Sequence, residues 1–398
     1  MQVCVILGDG IGREVIPAAI EVLRATDLPL EFVPAEAGWE CFERHGTALP
    51  DETLAAAQAA DAVLFGAVGS PSFPVPGYRS PIVALRRALD LYANIRPVRT
   101  EVQGLRTEGS VSQSSVLSPQ SLVDLVVVRE NTEGLYAGRE RLEDGGETAV
   151  AERVITRRAS ERIARAAFEL ARSRHLSVVS SPLSVGLGEQ PLTTDNGRRT
   201  RPHVTIVHKA NVMRETCGLF RATALRVAEE YPEVAHEEML VDNCALQLVQ
   251  RPERFNVIVT TNMFGDILSD VASYWGGGLG LAVSANIGSN GRALFEPVHG
   301  SAPDIAGKGI ANPLAAIGCA ALLLEHLANC KLQIANYRPQ DAAQPTSERL
   351  IAEQFRASAK RIHTAIAHVR SAGPHTPDVG GHATTEDITV AVVNEMKI

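Results

Sequence analysis

The sequence predicts an α/β fold, and three observations lead to this prediction. Short runs of β-branched and other apolar residues, typical of buried strands, recur along the chain, as at residues 3–7 (VCVIL) and 257–259 (VIV). Segments with the periodicity of amphipathic helices, such as residues 158–173, alternate with them. With 398 residues, 45% of them apolar, the chain can bury a large core and form more than one domain.

Composition limits the partners and the compartment. A formal net charge of −8 argues against nucleic acid or an anionic membrane surface, and no apolar run reaches membrane-spanning length. The six cysteines lie mostly in apolar segments without a CxxC pair, which predicts reduced thiols and no structural zinc site. Because the sequence begins directly with a strand, we expect a cytoplasmic protein, or a mitochondrial one if a presequence has been removed.

The first strand leads into the glycine-rich turn GDGIG, a helix (REVIPAAIEVLRAT) and a second strand (LEFVPAE). This order is that of a dinucleotide-binding fingerprint, but the glycine spacing is not. Gly8, Gly10 and Gly12 follow a G-x-G-x-G pattern, and Arg13 stands where the last glycine belongs. Asp9 would also bring negative charge towards a pyrophosphate. We therefore expect a tight turn that needs glycine backbone freedom.

After a predicted helix near 51–60, the segment DAVLFGAVGSP predicts another buried strand. Three arginines lie in the segments that follow it. Arg86 and Arg96 lie in a short helix and the extended piece after it, and Arg129 lies in DLVVVRENTEGLY. Guanidinium groups pair bidentately with carboxylates, so together they suit a polycarboxylate substrate. Taken singly, each is more often a surface or salt-bridge arginine.

Two Ser/Gly-rich stretches, residues 103–121 and 180–202, have little periodicity and predict exposed, mobile insertions without chemistry. Further on, the strand VTIVHKANV ends in Lys209 and Asn211, and Asp242 is expected at another strand end. The last third predicts a long Gly/Pro-rich loop over 293–313 and then two helices, 314–328 and 347–370.

An acidic pair follows the strand at 257–259. A turn over 262–265 leads into an apolar-periodic segment that opens with Asp266, and Asp270 lies four residues later. On a helix both carboxylates share one face, which suits a hard cation such as Mg²⁺ or Mn²⁺. A solvated acidic helix face is the alternative interpretation.

The motifs RENTEGLY, HKANV, VDN, FGDILSD and EPVHGSAPDIAGKGIANP, in this order, resemble the metal-dependent β-decarboxylating dehydrogenases of 3-hydroxy acids. This family includes the isocitrate, isopropylmalate, homoisocitrate and tartrate/malate enzymes, and the resemblance covers the chain apart from the two insertions. It implies an isocitrate/isopropylmalate dehydrogenase-like fold with two α/β domains and no β-α-β Rossmann dinucleotide site. One domain would combine residues 1–98 and 279–398, around a middle domain of residues 99–278.

The resemblance also implies a homodimer, or a tetramer, whose subunits share active sites and are joined partly by a strand-rich arm at residues 137–155. The metal ligands would be Asp266 and Asp270 with Asp242 of the neighbouring subunit. Lys209, from the same neighbour, would be the general base, and Tyr136 would protonate the enol carbon after CO₂ leaves. The cation and burial would both lower the pKa of the lysine in the direction that a base requires.

By their positions in the family motifs, the resemblance assigns two further sets of residues, one to the substrate and one to the cofactor. The residues expected to bind the substrate, a tricarboxylate, are Ser80, Val83, Arg86, Arg96, Arg129, Tyr136, Lys209 and Asn211. The residues expected to bind the nicotinamide cofactor are His299, Gly300, Ser301, Ala302, Asp304, Ile305 and Asn312. The resemblance implies NAD as the cofactor, because an Asp-Ile pair marks NAD users and Asp304 would repel the 2′-phosphate of NADP.

Substrate choice in the family depends on the segment before the first clamp arginine, here YRSPIVALR. Isocitrate enzymes have an asparagine where this chain has Ile82, and isopropylmalate enzymes have an acidic residue where it has Arg79. PGYRSPIVALRR resembles the corresponding segment of fungal homoisocitrate dehydrogenases, and LVQRPERFNVIVTTN and TPDVGGHATTEDIT resemble bacterial ones. The resemblance therefore implies NAD-dependent oxidation and decarboxylation of homoisocitrate in lysine biosynthesis, by the α-aminoadipate route.

Three alternatives stay open. The substrate could be isocitrate, tartrate/D-malate or 3-isopropylmalate, since one methylene group gives only about 1–3 kcal/mol of discrimination. The chain could be a non-catalytic regulatory subunit, although the catalytic and metal positions are intact. The two insertions could also impair assembly and leave a folded but weakly active protein.

Overall fold

The computed structural model describes residues 1–73, 75–100, 123–179, 202–336 and 347–397, and it has the α/β fold that the sequence predicts. The strands are β1 Gln2–Gly8, β2 Glu31–Ala35, β3 Ala62–Ala67, β4 Ala93–Arg99, β5 Asp124–Glu130, β6 Gly134–Glu143, β7 Thr148–Val154, β8 His203–His208, β9 Ala235–Leu240, β10 Val257–Thr260, β11 Val283–Ile287 and β12 Ala293–Pro297. The α-helices are α1 Gly12–Arg24, α2 Trp39–His45, α3 Asp51–Ala59, α4 Pro81–Ala88, α5 Arg157–Val179, α6 Thr216–Ala228, α7 Val241–Gln250, α8 Asn262–Ser273, α9 Leu314–Asn336, α10 Ser347–Ala372 and α11 Thr385–Glu395.

The described residues form two compact units, one within residues 1–91 and 278–398 and the other within residues 92–277. The predicted boundary at 98/99 therefore differs from the observed one at 91/92. The reason is β4, which pairs antiparallel with β5 along its whole length and so belongs to the second unit. Residues 103–121 and 180–201, which include nearly all of the predicted insertions, lie outside the described residues.

In the first unit the strand order is β2-β1-β3-β12-β11, with β1 parallel to β2 and β3, and β11 antiparallel to β12. The GDGIG turn that follows β1 has a structural role. The Asp9 carboxylate accepts hydrogen bonds from the backbone N–H groups of Trp39 and Glu40, which open α2, and of Gly69, at 2.7–3.0 Å. The φ values of Gly8 and Gly10 are +73° and +54°, so the turn requires glycine.

In the second unit the strand order is β4-β5-β10-β8-β9, with β5, β10, β8 and β9 mutually parallel. Valine and isoleucine side chains of these strands pack against α5 and α6 on one face and α7 and α8 on the other. β6 and β7 form a separate antiparallel pair over the predicted strand-rich arm. Its role in a dimer stays a prediction.

Three local predictions are wrong. Residues 262–265 are not a turn, because α8 begins at Asn262. The predicted loop over 293–313 opens with a strand, β12, whose five residues are all buried and pair with β11 and β3. Asp242 lies in the first turn of α7 and not at a strand end, since β9 stops at Leu240.

The expectation that the thiols are reduced agrees with the structure. All six cysteines are free, five of them buried and Cys330 partly buried. Helix α9 departs from expectation: within the described part of the chain it is the one helix that, over Leu314–Gln333, is long and apolar enough to cross a membrane. Because 67% of that window is buried inside the protein, it is better explained as a core helix, packed on α1, α10 and β12.

Candidate active site

Several of the polar residues singled out in the second unit lie at the carboxyl ends of its parallel strands or within a few residues after them. Arg129 is near the end of β5, Lys209 directly follows β8, and Asp242 follows β9. Helix α8, which carries the acidic pair, begins two residues after β10. Because β5, β10, β8 and β9 are parallel, their carboxyl ends lie at the same edge of the sheet. In open α/β sheets this is the edge at which ligands bind.

Arg129 is a buried arginine that hydrogen-bonds to two residues at the start of α8. Its side chain is 2% exposed, and its guanidinium donates through Nε and Nη2 to Asn262 Oδ1, at 3.0 and 2.7 Å, and through Nη1 to Asp266 Oδ1. Gly265 makes this approach possible, because a Cβ there would lie 2.6 Å from Cγ of Arg129. The first turn of α8 is thereby held directly against the arginine stem.

Arg96 joins the two acidic residues of α8. Its Nη2 lies 3.2 Å from Asp266 Oδ1, its Nη1 lies 3.2 Å from Asp270 Oδ1, and Nη1 also donates to Ser269 Oγ at 2.6 Å. The i,i+4 spacing thus places both carboxylates within reach of one guanidinium on a shared helix face. Burial raises the pKa of Asp270, Arg96 opposes that shift, and the neighbouring Asp266 carboxylate reinforces it.

Tyr136 belongs to the same cluster. Its hydroxyl donates a short hydrogen bond to Asp266 Oδ2, and the Arg129 guanidinium lies 5.2 Å from its ring centroid. Burial raises the pKa of the Tyr136 phenol, and the hydrogen bond and the negative charge of Asp266 raise it further. The phenol therefore keeps its proton at neutral pH and can act as an acid.

Lys209 and Asp242 form an ion pair, with Lys209 Nζ 2.6 Å from Asp242 Oδ1. This hydrogen bond lowers the pKa of the Asp242 carboxyl. Asn211, two residues beyond the lysine, is exposed. The expectation that the lysine and the aspartate act in a neighbouring subunit stays a prediction.

The acidic residues fit a hard cation in their chemistry, because aspartate oxygens are the ligands that Mg²⁺ and Mn²⁺ prefer. Asp266 and Asp270 share a helix face and have side chains 32% and 53% exposed. Asp242 does not join them: among the described residues of one chain, oxygens of the three carboxylates do not all lie within 4.8 Å of one another. Two of the three predicted ligands are thus assembled, and each is neutralised by arginine.

In the first unit, the predicted specificity segment forms the start of α4. Ser80 is the residue before the helix, Val83 is partly buried in its first turn, and Ile82 packs against the hydrophobic core of this unit. Arg86 is buried and donates from Nη2 to Glu296 Oε1 at 2.7 Å, while its Nε is buried without a partner among the described residues. An orphaned donor on a buried arginine is a position that a substrate carboxylate could satisfy.

The predicted cofactor residues lie in the loop after β12, and the start of the chain holds this loop in place. The backbone carbonyl of Ser301 accepts from Ile11 N at 2.9 Å, and Glu14 accepts from Gly307 N at 2.6 Å. Asn312 is buried and donates to Asp378 at 3.2 Å. The remaining residues of the predicted set are Gly300, Ala302 with a positive φ, exposed Asp304, partly buried Ile305, and His299.

His299 offers this loop a free polar atom. Its Nδ1 lies 3.0 Å from the carbonyl of Gly300, and its Nε2 is buried with no hydrogen-bond partner in the described part of the chain. Burial lowers the pKa of the imidazole, so the ring is neutral at physiological pH. A neutral ring with an unsatisfied nitrogen suits a hydrogen bond to an uncharged cofactor group.

Sequence reasoning missed several residues of the site. Asn262 and Ser269 hold the two arginines, Glu296 pairs with Arg86, and Glu14 anchors the cofactor loop. Asn262 lies four residues before Asp266 and Ser269 three residues after it, so both share this face of α8. A helix predicted to begin at Asn262 would have found the first, whereas Ser269 already lies within the predicted helical segment. Glu296 and Glu14 pair over large sequence separations, which no local pattern reports.

The match to a family model extends over nearly the whole chain. Residues 2–182 and 193–392 match the isocitrate/isopropylmalate dehydrogenase family. The chain belongs to the isocitrate/isopropylmalate dehydrogenase family.

Individual relatives agree on the family and differ in substrate. An isocitrate/homoisocitrate dehydrogenase of Thermus thermophilus is 48% identical over 397 residues, spanning 100% of this chain and 98% of the relative. The 3-isopropylmalate/3-methylmalate dehydrogenase of Methanocaldococcus jannaschii is 44% identical over 100% of this chain and 99% of its own. The crystal structure of isocitrate dehydrogenase from Methylococcus capsulatus superposes with a TM-score of 0.79 at 38% identity, covering 100% and 99% of the two chains.

Family membership supports the general activity. Members are oxidative, decarboxylating dehydrogenases that use a nicotinamide cofactor and a divalent metal. The tyrosine, carboxylate and arginine side chains around α8 are residue types that this chemistry uses.

Proposed function

We propose that this protein is an NAD-dependent, Mg²⁺- or Mn²⁺-dependent homoisocitrate dehydrogenase. It converts homoisocitrate and NAD⁺ to 2-oxoadipate, CO₂ and NADH, in lysine biosynthesis by the α-aminoadipate route. The observation that carries this choice is Ile82. It stands where isocitrate enzymes have an asparagine, and an isoleucine side chain has no amide that could bind a substrate carboxylate. Ile82 packs against the hydrophobic core of its unit.

Lys209 and Tyr136 have complementary roles in the proposed reaction. Lys209, in its neutral form, accepts the proton of the substrate hydroxyl, and Tyr136 later gives its proton to the carbon that loses CO₂. The raised pKa of Tyr136 fits the second role, because the phenol arrives protonated. The substrate loses one proton from oxygen and gains one at carbon, so each turnover leaves Lys209 protonated and Tyr136 deprotonated, and proton exchange with solvent restores both.

Bound metal and cofactor complete the chemistry. When bound, NAD⁺ supplies the hydride acceptor, and the divalent cation lowers the pKa of the hydroxyl and stabilises negative charge on the substrate oxygens. Asp266 and Asp270 would hold the cation together with Asp242. Arg86, Arg96 and Arg129 would bind the carboxylates, which their fixed planar geometry matches.

The proposed cofactor is NAD, because Asp304 and Ile305 occupy the positions that distinguish NAD users. Asp304 is exposed on the loop that follows β12, where its carboxylate can accept hydrogen bonds from ribose hydroxyls and would repel a 2′-phosphate. We also propose a homodimer, because one chain brings together only two of the three metal carboxylates.

A parallel assay tests the substrate. The purified protein is given NAD⁺, Mg²⁺ and either homoisocitrate, isocitrate, 3-isopropylmalate or D-malate, and NADH formation is followed. We expect the highest kcat/KM with homoisocitrate. A higher value with another acid would overturn the substrate assignment while leaving the family chemistry intact, and no turnover with any acid would favour a regulatory subunit.

Isocitrate is the second candidate substrate. The 48% identical Thermus relative is named for both acids. The two substrates differ by one methylene group, worth about 1–3 kcal/mol in a pocket. We therefore expect measurable isocitrate turnover with a lower kcat/KM than that of homoisocitrate.

A further inference from the structure

We propose that Glu36, Cys41 and His45 form a second metal site, one that takes a borderline-soft divalent cation such as Zn²⁺. The ligand atoms of these side chains all lie within 4.8 Å of one another, and among the described residues they form the one group of three or more His, Cys, Asp or Glu side chains so arranged. His45 Nε2 is 3.6 Å from Glu36 Oε2. Nothing in the proposed dehydrogenase reaction uses these residues.

The local fold assembles the site from two adjoining elements. Cys41 and His45 are four residues apart on α2, so both side chains point to one face of the helix. Glu36 comes directly after β2 and faces them. The Cys41 end is buried and the His45 and Glu36 side chains are half exposed, so an ion can enter from solvent and reach the sulfur.

The donor set selects the cation. Zinc sites are built from cysteine sulfur, histidine nitrogen and carboxylate oxygen, commonly in a tetrahedron. Mg²⁺ and Mn²⁺ prefer oxygen and have little affinity for sulfur, so this site and the aspartates of α8 differ in their preference. A cavity of about 650 Å³ lined by Glu36 and His45 leaves room for a water molecule as fourth ligand.

Arg44 competes with the metal. Its Nη2 lies 3.1 Å from Glu36 Oε2, and both side chains are more than half exposed. An ion pair this exposed is weak, and the flexible arginine can turn into solvent when a cation arrives. Removing Arg44 should therefore tighten metal binding, whereas removing a ligand should weaken it. A surface with no site would show neither effect.

Cobalt is the probe for the ligand set. The full-length, metal-free protein is titrated with Co²⁺, and the thiolate-to-cobalt charge-transfer absorption in the near ultraviolet is recorded. Oxygen ligands at the aspartates of α8 give no such band. With excess Mg²⁺ present to occupy the aspartates of α8, we expect a band that saturates at one Co²⁺ per chain and is displaced by Zn²⁺.

Substitutions test which residues give rise to the charge-transfer band. Cys41→Ser should abolish it, and His45→Gln should weaken Zn²⁺ binding by more than about tenfold, since even outer-shell partners are worth that much. Cys330→Ser is the matched control, because Cys330 Sγ lies 3.5 Å from His326 Nε2 in a Cys–His pair on α9, and it should leave the band unchanged. Arg44→Gln should tighten binding about two- to fivefold, the range of a weak exposed ion pair.

Thermal unfolding gives a second readout. Stoichiometric Zn²⁺ should raise the unfolding midpoint of the wild type and of Cys330→Ser, but not of Cys41→Ser or His45→Gln. His45 is half exposed, so its substitution leaves the fold intact even if Cys41→Ser does not. A band that survives in Cys41→Ser, or affinity unchanged in both His45→Gln and Arg44→Gln, would overturn the proposal.

Discussion

Arg129 shows how a charged side chain can be buried at this site. The residue is 1% exposed, and burying an unpaired guanidinium would be strongly unfavourable. Asn262 and Asp266 satisfy it through three hydrogen bonds. The position of the buried charge is thus fixed by side chains of α8.

Replacing Asp270 tests the metal assignment at the residue scale. Asp270→Asn removes a proposed ligand, and we expect it to abolish most NADH formation at ordinary Mg²⁺ concentrations. Its side chain is 53% exposed, so the thermal unfolding midpoint should change little. Asp51→Asn, at an exposed position in the first turn of α3, is the control and should keep full activity. Full activity of Asp270→Asn would show that the metal is held elsewhere.

At the scale of elements, α8 depends on the absence of a side chain at Gly265. Gly265→Ala would place a methyl group 2.6 Å from the Arg129 Cγ. We expect a loss of about 1–3 kcal/mol in the free energy of unfolding, typical of overpacking, together with lower activity because Arg129 must move.

The matched control for this substitution is Gly218→Ala. Gly218 is also helical, in α6, and a Cβ there meets no atom within 4 Å. The same change should stabilise the protein by up to about 1 kcal/mol, the difference in helix propensity. Urea unfolding of both variants measures the contrast, and equal effects would contradict the packing argument.

Helix α11 makes a pH-dependent contribution to stability. Thr384 and Asp387 form a capping box, and hydrogen bonds from the Thr384 backbone and side chain lower the pKa of Asp387. A lowered pKa means stabilisation that is present above the unfolded-state value, about 3.9, and is lost as pH falls through the folded-state value. Thr384→Ala should cost about 1 kcal/mol at neutral pH and less in acid, measured by urea unfolding. An equal cost at both pH values would contradict this account.

At the scale of the whole molecule, the shared active site can be tested by mixing subunits. Asp242→Asn and Asp270→Asn should each be inactive alone. If Asp242 acts in the neighbouring subunit, a mixed dimer contains one intact site, so random co-assembly restores about a quarter of wild-type activity for a two-fold dimer.

The control is co-expression of Asp266→Asn with Asp270→Asn, which lie on the same helix and cannot complement. NADH formation by the co-expressed pairs is the measurement. Failure of the Asp242→Asn and Asp270→Asn pair to recover activity would mean that each chain supplies its own third carboxylate.

Much of the fold was predictable from local patterns, and the exceptions have physical causes. Buried runs such as VIV and VCVIL have few alternatives to strands, so their positions agree. Helix α2 escaped prediction because it has seven residues and one buried side chain, Cys41, and so lacks apolar periodicity. The segment of α11, TEDITVAVVNE, is rich in β-branched residues, and its capping box and packing against α1 override that preference.

The site was predictable only in part. The i,i+4 spacing predicts that Asp266 and Asp270 share a face, because helix geometry determines it. Their pairing with Arg96, about 170 residues earlier in the chain, depends on the sheet order and has no local signal. The catalytic and binding roles of these residues stay predictions.

The two arginines on the acidic pair of α8 have a consequence for how the ligands bind. If Asp266 and Asp270 hold the proposed cation, their carboxylates would give up part of their pairing with Arg96 and Arg129. The guanidinium charge so released would then be available to the carboxylates of the proposed substrate. On this proposal metal and substrate are heterotropic effectors of each other, and by linkage each would raise the affinity of the other by the same factor.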